Sequence, residues 1–171
     1  ALFQAKIQEI LDKISLIEAR NTGDFSEYSQ KVFGKIEDYH WQVAKDFCKV
    51  NTLYPDYSPN LSFNEIKKQL ENTLHKYRLD HWKIRISDNC VSDVSVNKHH
   101  EIILKNQISL KQNHLKALIR HEIETHVFRL ENAKLQNYRI WQRGTAGYLQ
   151  TEEGLAIFQQ NQLPIPLGEK I

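Results

Sequence analysis

Charge of one sign is missing from this chain: 23 lysines and arginines stand against 21 aspartates and glutamates, and the net +2 is spread along the sequence. Without a basic block there is no electrostatic footprint for nucleic acid, and none is expected as a partner. Long apolar runs are missing too. None exceeds about six residues, well short of the roughly 20 needed to span a membrane or of a signal-peptide core. A soluble, cytoplasmic domain with no membrane partner is therefore expected. Cysteine is scarce, and Cys48 and Cys90 fall on what read as different elements. Free thiols in a reducing compartment are the expected state, with a single disulfide as the alternative. Methionine is absent, and a chain running from Ala1 to Ile171 without a recognisable terminus reads as a piece of a longer protein. Internal repeats and low-complexity segments are absent as well. What remains is 171 residues at 40% hydrophobic content, enough to build a compact domain with a core of its own.

Ile7, Ile10, Leu11, Ile14 and Ile17 recur at helical spacing, which predicts a first helix from Leu2 to Arg20, ended by Asn21-Thr22-Gly23. A second helical stretch from about Asp24 to Val50 contains Gly34 as a possible interruption. Tyr54 to Asn60, with two prolines, reads as a linker. Ser62 followed three residues later by Glu65 is a capping-box pattern that starts a third helix, to about Tyr77. The period then changes. Trp82, Ile84 and Ile86 alternate with polar residues, as do Val94 and Val96, and Glu101–Lys105 makes a third short strand after a turn at 97–100. A long helix capped by Ser109 is predicted from Leu110 to about Ala133, and a last helix from near Thr151. The fold class is therefore α+β. Residues 1–80 form an N-terminal helical portion and residues 81–171 the part that carries the chemistry.

That chemistry centres on Leu118-Ile119-Arg120-His121-Glu122-Ile123-Glu124-Thr125-His126, a His-Glu-x-x-x-His string one residue longer than the zincin pattern. Histidines four apart on a helix lie about 40° from each other and reach one metal; five apart they are separated by some 140°. A regular helix cannot bring His121 and His126 together. A π-bulge between them would, and such bulges favour functional sites. The helical wheel agrees, because Glu122 and His126 fall within the apolar face formed by Leu115, Ile119, Ile123 and Leu130. Buried without partners, each would cost several kcal/mol. A metal gives both a purpose, with Glu122 as general base for water whose pKa the metal lowers towards about 7. The bland alternative pairs Glu122 with His126 and leaves His121 solvated. With 8 histidines and 13 glutamates, the string arises by chance in roughly one such chain in 35.

A third ligand is what a catalytic zinc needs besides an open position. Thr151-Glu152-Glu153-Gly154-Leu155-Ala156 offers two carboxylates at a helix start, after a loop through Gly144 and Gly147. Glu153 is assigned the ligand role, which makes a His-His-Glu set, and Glu152 the lesser one of complementing the helix dipole. His99-His100 is read as an exposed turn in preference to a metal site.

The two strings together look like the QEGLA-motif proteins, the family that includes the microtubule-associated tyrosine carboxypeptidases. Phe25–Gly34 resembles the family's segment ahead of its catalytic part. The resemblance implies a zincin-like fold and a Zn2+ site at His121, His126 and Glu153, with Glu122 as catalytic base. It also implies removal of a C-terminal residue, an aromatic one, from a peptide or protein substrate. Glu152 stands where many bacterial members have glutamine and where the eukaryotic ones resemble this sequence. Only 15 residues follow Ala156, so most of the family's next helical region is not here. A carboxypeptidase needs a cation for the substrate's terminal carboxylate. Arg143, before Gly144, is preferred for it over Arg120 and Arg139. Tyr148 is weighed as an oxyanion donor and read as packing instead. The alternatives are a zinc endopeptidase or amidohydrolase with the same ligands, and a non-catalytic helical binding module.

Overall fold

The computed structural model describes residues 1–51 and 56–163. Two compact units emerge. The first holds α1 (Leu2–Glu18), α2 (Phe25–Phe33), α3 (Asp38–Asn51) and the loop Arg143–Tyr148; the second runs from Asp56 to Gln142 and resumes at Leu149. The boundary therefore precedes α4 (Phe63–Lys76), which the sequence had grouped with the N-terminal helices up to residue 80. The reason is packing: Ile66, Leu70 and Leu74, one stripe at helical spacing, enter the same core as Ile102, Leu104, Leu115, Ile123 and Val127.

In the first unit, α1 packs on α2 and buries Leu16 and Ala19, while Lys31 of α2 reaches Asp12 of α1 at 2.7 Å. Gly34, at φ 88°, ends α2 and splits the second helical stretch as its sequence allowed. Glu9 of α1 accepts a hydrogen bond from the Gly147 amide at 3.1 Å. Cys48 and Cys90 are free thiols. Tyr54 and Pro55 of the expected linker lie outside the described residues, and its last residue, Asn60, is in a strand.

The second unit is built on two small sheets. β2 (Lys83–Ser87), β3 (Val94–Asn97) and β4 (Glu101–Lys105) form one in the order β2-β4-β3, with β2 parallel and β3 antiparallel to β4. The turn at 98–100 joins β3 to β4 as expected, with His100 at φ 60°. Ile102 and Leu104 of the central strand are fully buried, and burial of each such side chain contributes about 1.5–3 kcal/mol. β1 (Asn60–Leu61) pairs with β5 (Leu110–Lys111) in the other sheet. That pairing corrects the long helix. Leu110 and Lys111 are taken by β1, Ser109 donates to the Leu61 carbonyl at 3.0 Å instead of capping, and α5 begins at Gln112. The capping box at Ser62 and Glu65 does form, starting α4.

From α5 (Gln112–Leu118) the chain passes without a break into a π-helix, Ile119–Val127, and then into α6 (Phe128–Lys134). A short α7 (Arg139–Arg143) precedes the glycine loop, and α8 (Tyr148–Asn161) follows it, starting three residues earlier than expected. Gly144 at φ 82° and Gly147 at φ 73° make the turn, and a side chain at Gly144 would collide with the Tyr148 ring. No described helix is long and apolar enough to cross a membrane.

Candidate metal centre

Nine residues of π-helix are an uncommon length, since these helices occur mostly as single turns. The buried pattern shows why the chain accepts it. Ile123 and Val127 are both fully buried in the core, so they hold one side of the helix, while the widened turn carries His121 and His126 together on another. With hydrogen bonds spaced i to i+5, residues five apart sit one above the other. The two imidazoles accordingly stack edge to face with centroids 5.1 Å apart. Thr125, buried in the same segment, donates its hydroxyl to the Arg120 carbonyl at 3.0 Å, which satisfies a backbone group on the widened turn.

Glu153 of α8 completes the cluster. One of its oxygens lies 3.5 Å from His121 Nε2 and the other 3.7 Å from His126 Nε2. The ligand atoms of His121, His126 and Glu153 all fall within 4.8 Å of one another. Zinc bonds of about 2.1 Å in tetrahedral array put neighbouring ligand atoms roughly 3.4 Å apart, so these separations are already close to what one ion requires. Two imidazoles and a carboxylate are also the donor set that zinc takes in hydrolytic sites. The residues fit the group.

The remaining ring nitrogens are occupied from α8. His126 Nδ1 lies 2.6 Å from Glu152 Oε1, and His121 Nδ1 lies 3.3 Å from Gln160 Oε1. Glu152 in turn forms an ion pair through Oε2 with Arg129 Nε at 3.0 Å. This corrects the reading of Glu152 as a residue facing the helix dipole. α8 starts at Tyr148, so Glu152 is past the first turn, and it is buried at 7% exposure against His126.

Glu122 is placed differently. It is 9% exposed and makes no hydrogen bond with another described residue, so burial pushes its carboxyl up to about 7; His126 pulls it down and Glu153 adds to the rise. Burial works to lower His126, but the Glu152 hydrogen bond and the charges of Glu122, Glu152 and Glu153 outweigh it and raise this imidazole above its ordinary value. Glu152 is resisted by burial yet held below the carboxylate range by His126 and Arg129.

The cluster opens into a cavity of about 330 Å³, walled on one side by Ser95–Lys98 of β3 and its turn and on another by the π-helix and α8. Among the predicted residues, His121, Glu122, His126 and Glu153 meet here. Arg143 does not line the cavity. It is exposed at the end of α7 and belongs to the first unit, because the loop after it is tied to α1. The cations of the cavity are Arg129, engaged with Glu152, and Lys98, which pairs with no described residue. Gln160 was open to inference, since it lies two helical turns beyond Glu153 on the same side of α8. Lys98 was not, because only the sheet register carries it to the site.

A family model described as microtubule-associated tyrosine carboxypeptidase matches residues 1–161. No curated protein and no solved structure matches the chain. The family match spans both units and takes in the helix that carries His121, Glu122 and His126 as well as the one that carries Glu153. The chain belongs to the microtubule-associated tyrosine carboxypeptidase family, and so to the hydrolases that act at a peptide's C-terminus.

Proposed function

We propose that the protein is a zincin-like, zinc-dependent carboxypeptidase in which His121, His126 and Glu153 hold the metal and Glu122 is the general base. The observation that carries this is the meeting of both Nε2 atoms at Glu153 beside a buried carboxyl that has no hydrogen-bonding partner among the described residues. Zinc in that position would acidify the attacking water and polarise the scissile carbonyl. Glu122, poised at about 7, takes the proton of the attacking water and returns it to the leaving amine. Lys98, on the wall of the same cavity, takes the role first given to Arg143 and binds the substrate's terminal carboxylate.

The family's description names tyrosine, so a peptide ending in tyrosine is the first substrate and a microtubule-borne tail with that ending the natural extension. The test compares the parent with Glu122→Gln on such a peptide, free or amidated at its C-terminus, with zinc measured in both proteins. Expected are about one zinc per chain in each, release of tyrosine by the parent from the free peptide, and release slower by about 10²–10⁴ in the variant. Equal cleavage of the amidated peptide would point to an endopeptidase. Absence of zinc after reconstitution, or turnover by Glu122→Gln at close to the parental rate, would overturn the proposal.

A further inference from the structure

We propose that Glu152 and Gln160 of α8 are positioning residues, which set the tautomer and ring orientation of His126 and His121 so that both Nε2 lone pairs point at one ion. The inference rests on the metal reading above and extends it from the three ligands to the groups behind them. Each imidazole has its two nitrogens divided between two tasks. His126 gives Nδ1 to Glu152 at 2.6 Å and turns Nε2 towards Glu153 at 3.7 Å. His121 gives Nδ1 to Gln160 at 3.3 Å and turns Nε2 towards the same carboxylate at 3.5 Å. A carboxylate or an amide oxygen can only accept, so the hydrogen of each neutral ring sits on Nδ1 and leaves Nε2 open. Carboxylate and carbonyl partners of this kind orient metal-binding histidines generally.

The two links are unequal. Glu152 is charged, its side chain is only 6% exposed, and its second oxygen is held by Arg129 at 3.0 Å, three residues beyond His126. The carboxylate therefore cannot swing away to solvent and has one oxygen left for the ring. Gln160 is neutral, longer in contact and less buried. Glu152 is thus the stronger of the two positioning groups. A single helix thus presents the carboxylate facing both Nε2 atoms and the two groups that hold the Nδ1 atoms.

The experiment uses the full chain and four variants: Glu152→Ala, Glu152→Gln, Gln160→Ala and the ligand control Glu153→Ala. Zinc affinity is measured by competition with a chromophoric chelator, and the histidine tautomers by nitrogen-15 NMR of the metal-free proteins at a pH high enough for both rings to be neutral. Glu152→Ala should weaken zinc about 10- to 100-fold, the range for lost orienting partners, and move the His126 hydrogen off Nδ1. Glu152→Gln, whose amide oxygen still accepts from Nδ1–H, should stay within about tenfold of the parent and keep the tautomer. Gln160→Ala should change affinity less than Glu152→Ala and shift only His121. A Glu152→Ala protein with parental affinity and tautomer overturns the proposal, as does a Glu152→Gln protein impaired as far as Glu152→Ala. If Glu152→Ala does not fold, Glu152→Gln decides, and an Nε2–H tautomer at His126 there counts against it. Should the parent bind no zinc, the metal reading fails while the NMR of the metal-free chains still tests the positioning.

Discussion

Glu122 and Glu131 lie nine residues apart on one continuous helical run, and their surroundings are opposite. Both are drawn upward by burial. At Glu131 the fold answers with donors: Lys134 at 2.5 Å, His81 at 2.9 Å and the Trp82 indole at 2.7 Å, which together bring its carboxyl down to about 2. At Glu122 it supplies none among the described residues, and the value stays at about 7. The scaffold is able to satisfy an acid on this run and does so where the acid ties α6 to the start of β2. A carboxyl left without donors beside two histidines, at about 7, has the property that the proposed base requires.

Turnover should separate the pair most. Glu122→Gln is expected to slow peptide hydrolysis by about 10²–10⁴, whereas Glu131→Gln should leave kcat unchanged once the protein is folded. Equal losses in the two variants would mean that the contrast in environment has no bearing on catalysis.

Stability of the metal-free protein against pH is the next largest effect, and the two acids act with opposite sign. Glu122, raised from 4.5 to about 7, binds its proton more tightly when folded, so its contribution is complete below about 4.5 and is lost as pH rises towards 7, by up to about 3 kcal/mol. His126, raised above 6.5, adds a loss of the same sign at higher pH. Glu131, lowered to about 2, stabilises above about 4.5, and that contribution disappears as pH falls towards 2. Denaturant midpoints should therefore peak near pH 5, and Glu122→Gln should flatten the alkaline side alone. Zinc held by the proposed ligands would reverse that side, because such ligands must give up their protons. An unchanged alkaline slope in Glu122→Gln would show that Glu122 is not the titrating group.

Glu131→Gln comes third, with an expected cost of about 1–2 kcal/mol from weakened bonds to Lys134 and His81 and no change in zinc affinity. A loss of zinc affinity in this variant would make the two acids a single system.

How far this contrast could be read in advance follows from the distances over which its causes act. The π-helix was legible because the five-residue interval between His121 and His126 cannot close on a regular helix, and that argument is local. So was the capping box at Ser62 and Glu65. The strand at Leu110–Lys111 was not, since its partner β1 lies some fifty residues earlier and a helix pattern runs straight through it. Glu152 and Glu153 are neighbours in sequence, and nothing local says which of them turns inward to Arg129 and which faces the two Nε2 atoms. Arg143 was placed by its nearness to Glu153 along the chain, but the loop between them is bonded to α1. Lys98 arrives through the β3–β4 register, which alternation alone leaves open.

The smallest expected effect lies inside the π-helix itself. Glu124 is two residues from Glu122, yet it accepts a hydrogen bond from the Tyr77 hydroxyl and lies 3.9 Å from Arg120, so it belongs with Glu131 among the satisfied acids. The same bond pushes the Tyr77 hydroxyl up to about 12, since losing that proton would set two anions against each other. Tyr77→Phe keeps the ring's edge contact with Phe128, 4.9 Å between centroids, and removes only the hydroxyl. The cost should be about 1 kcal/mol, because Glu124 is partly exposed and water can replace the lost donor. Zinc affinity and turnover should stay at parental values, as the bond anchors the outer side of the π-helix to α4 and the histidines are fixed from α8. A drop in zinc affinity without a larger loss of stability would instead show that the widened turn is held open from Tyr77, and the division between satisfied and unsatisfied acids would then run through the metal site itself.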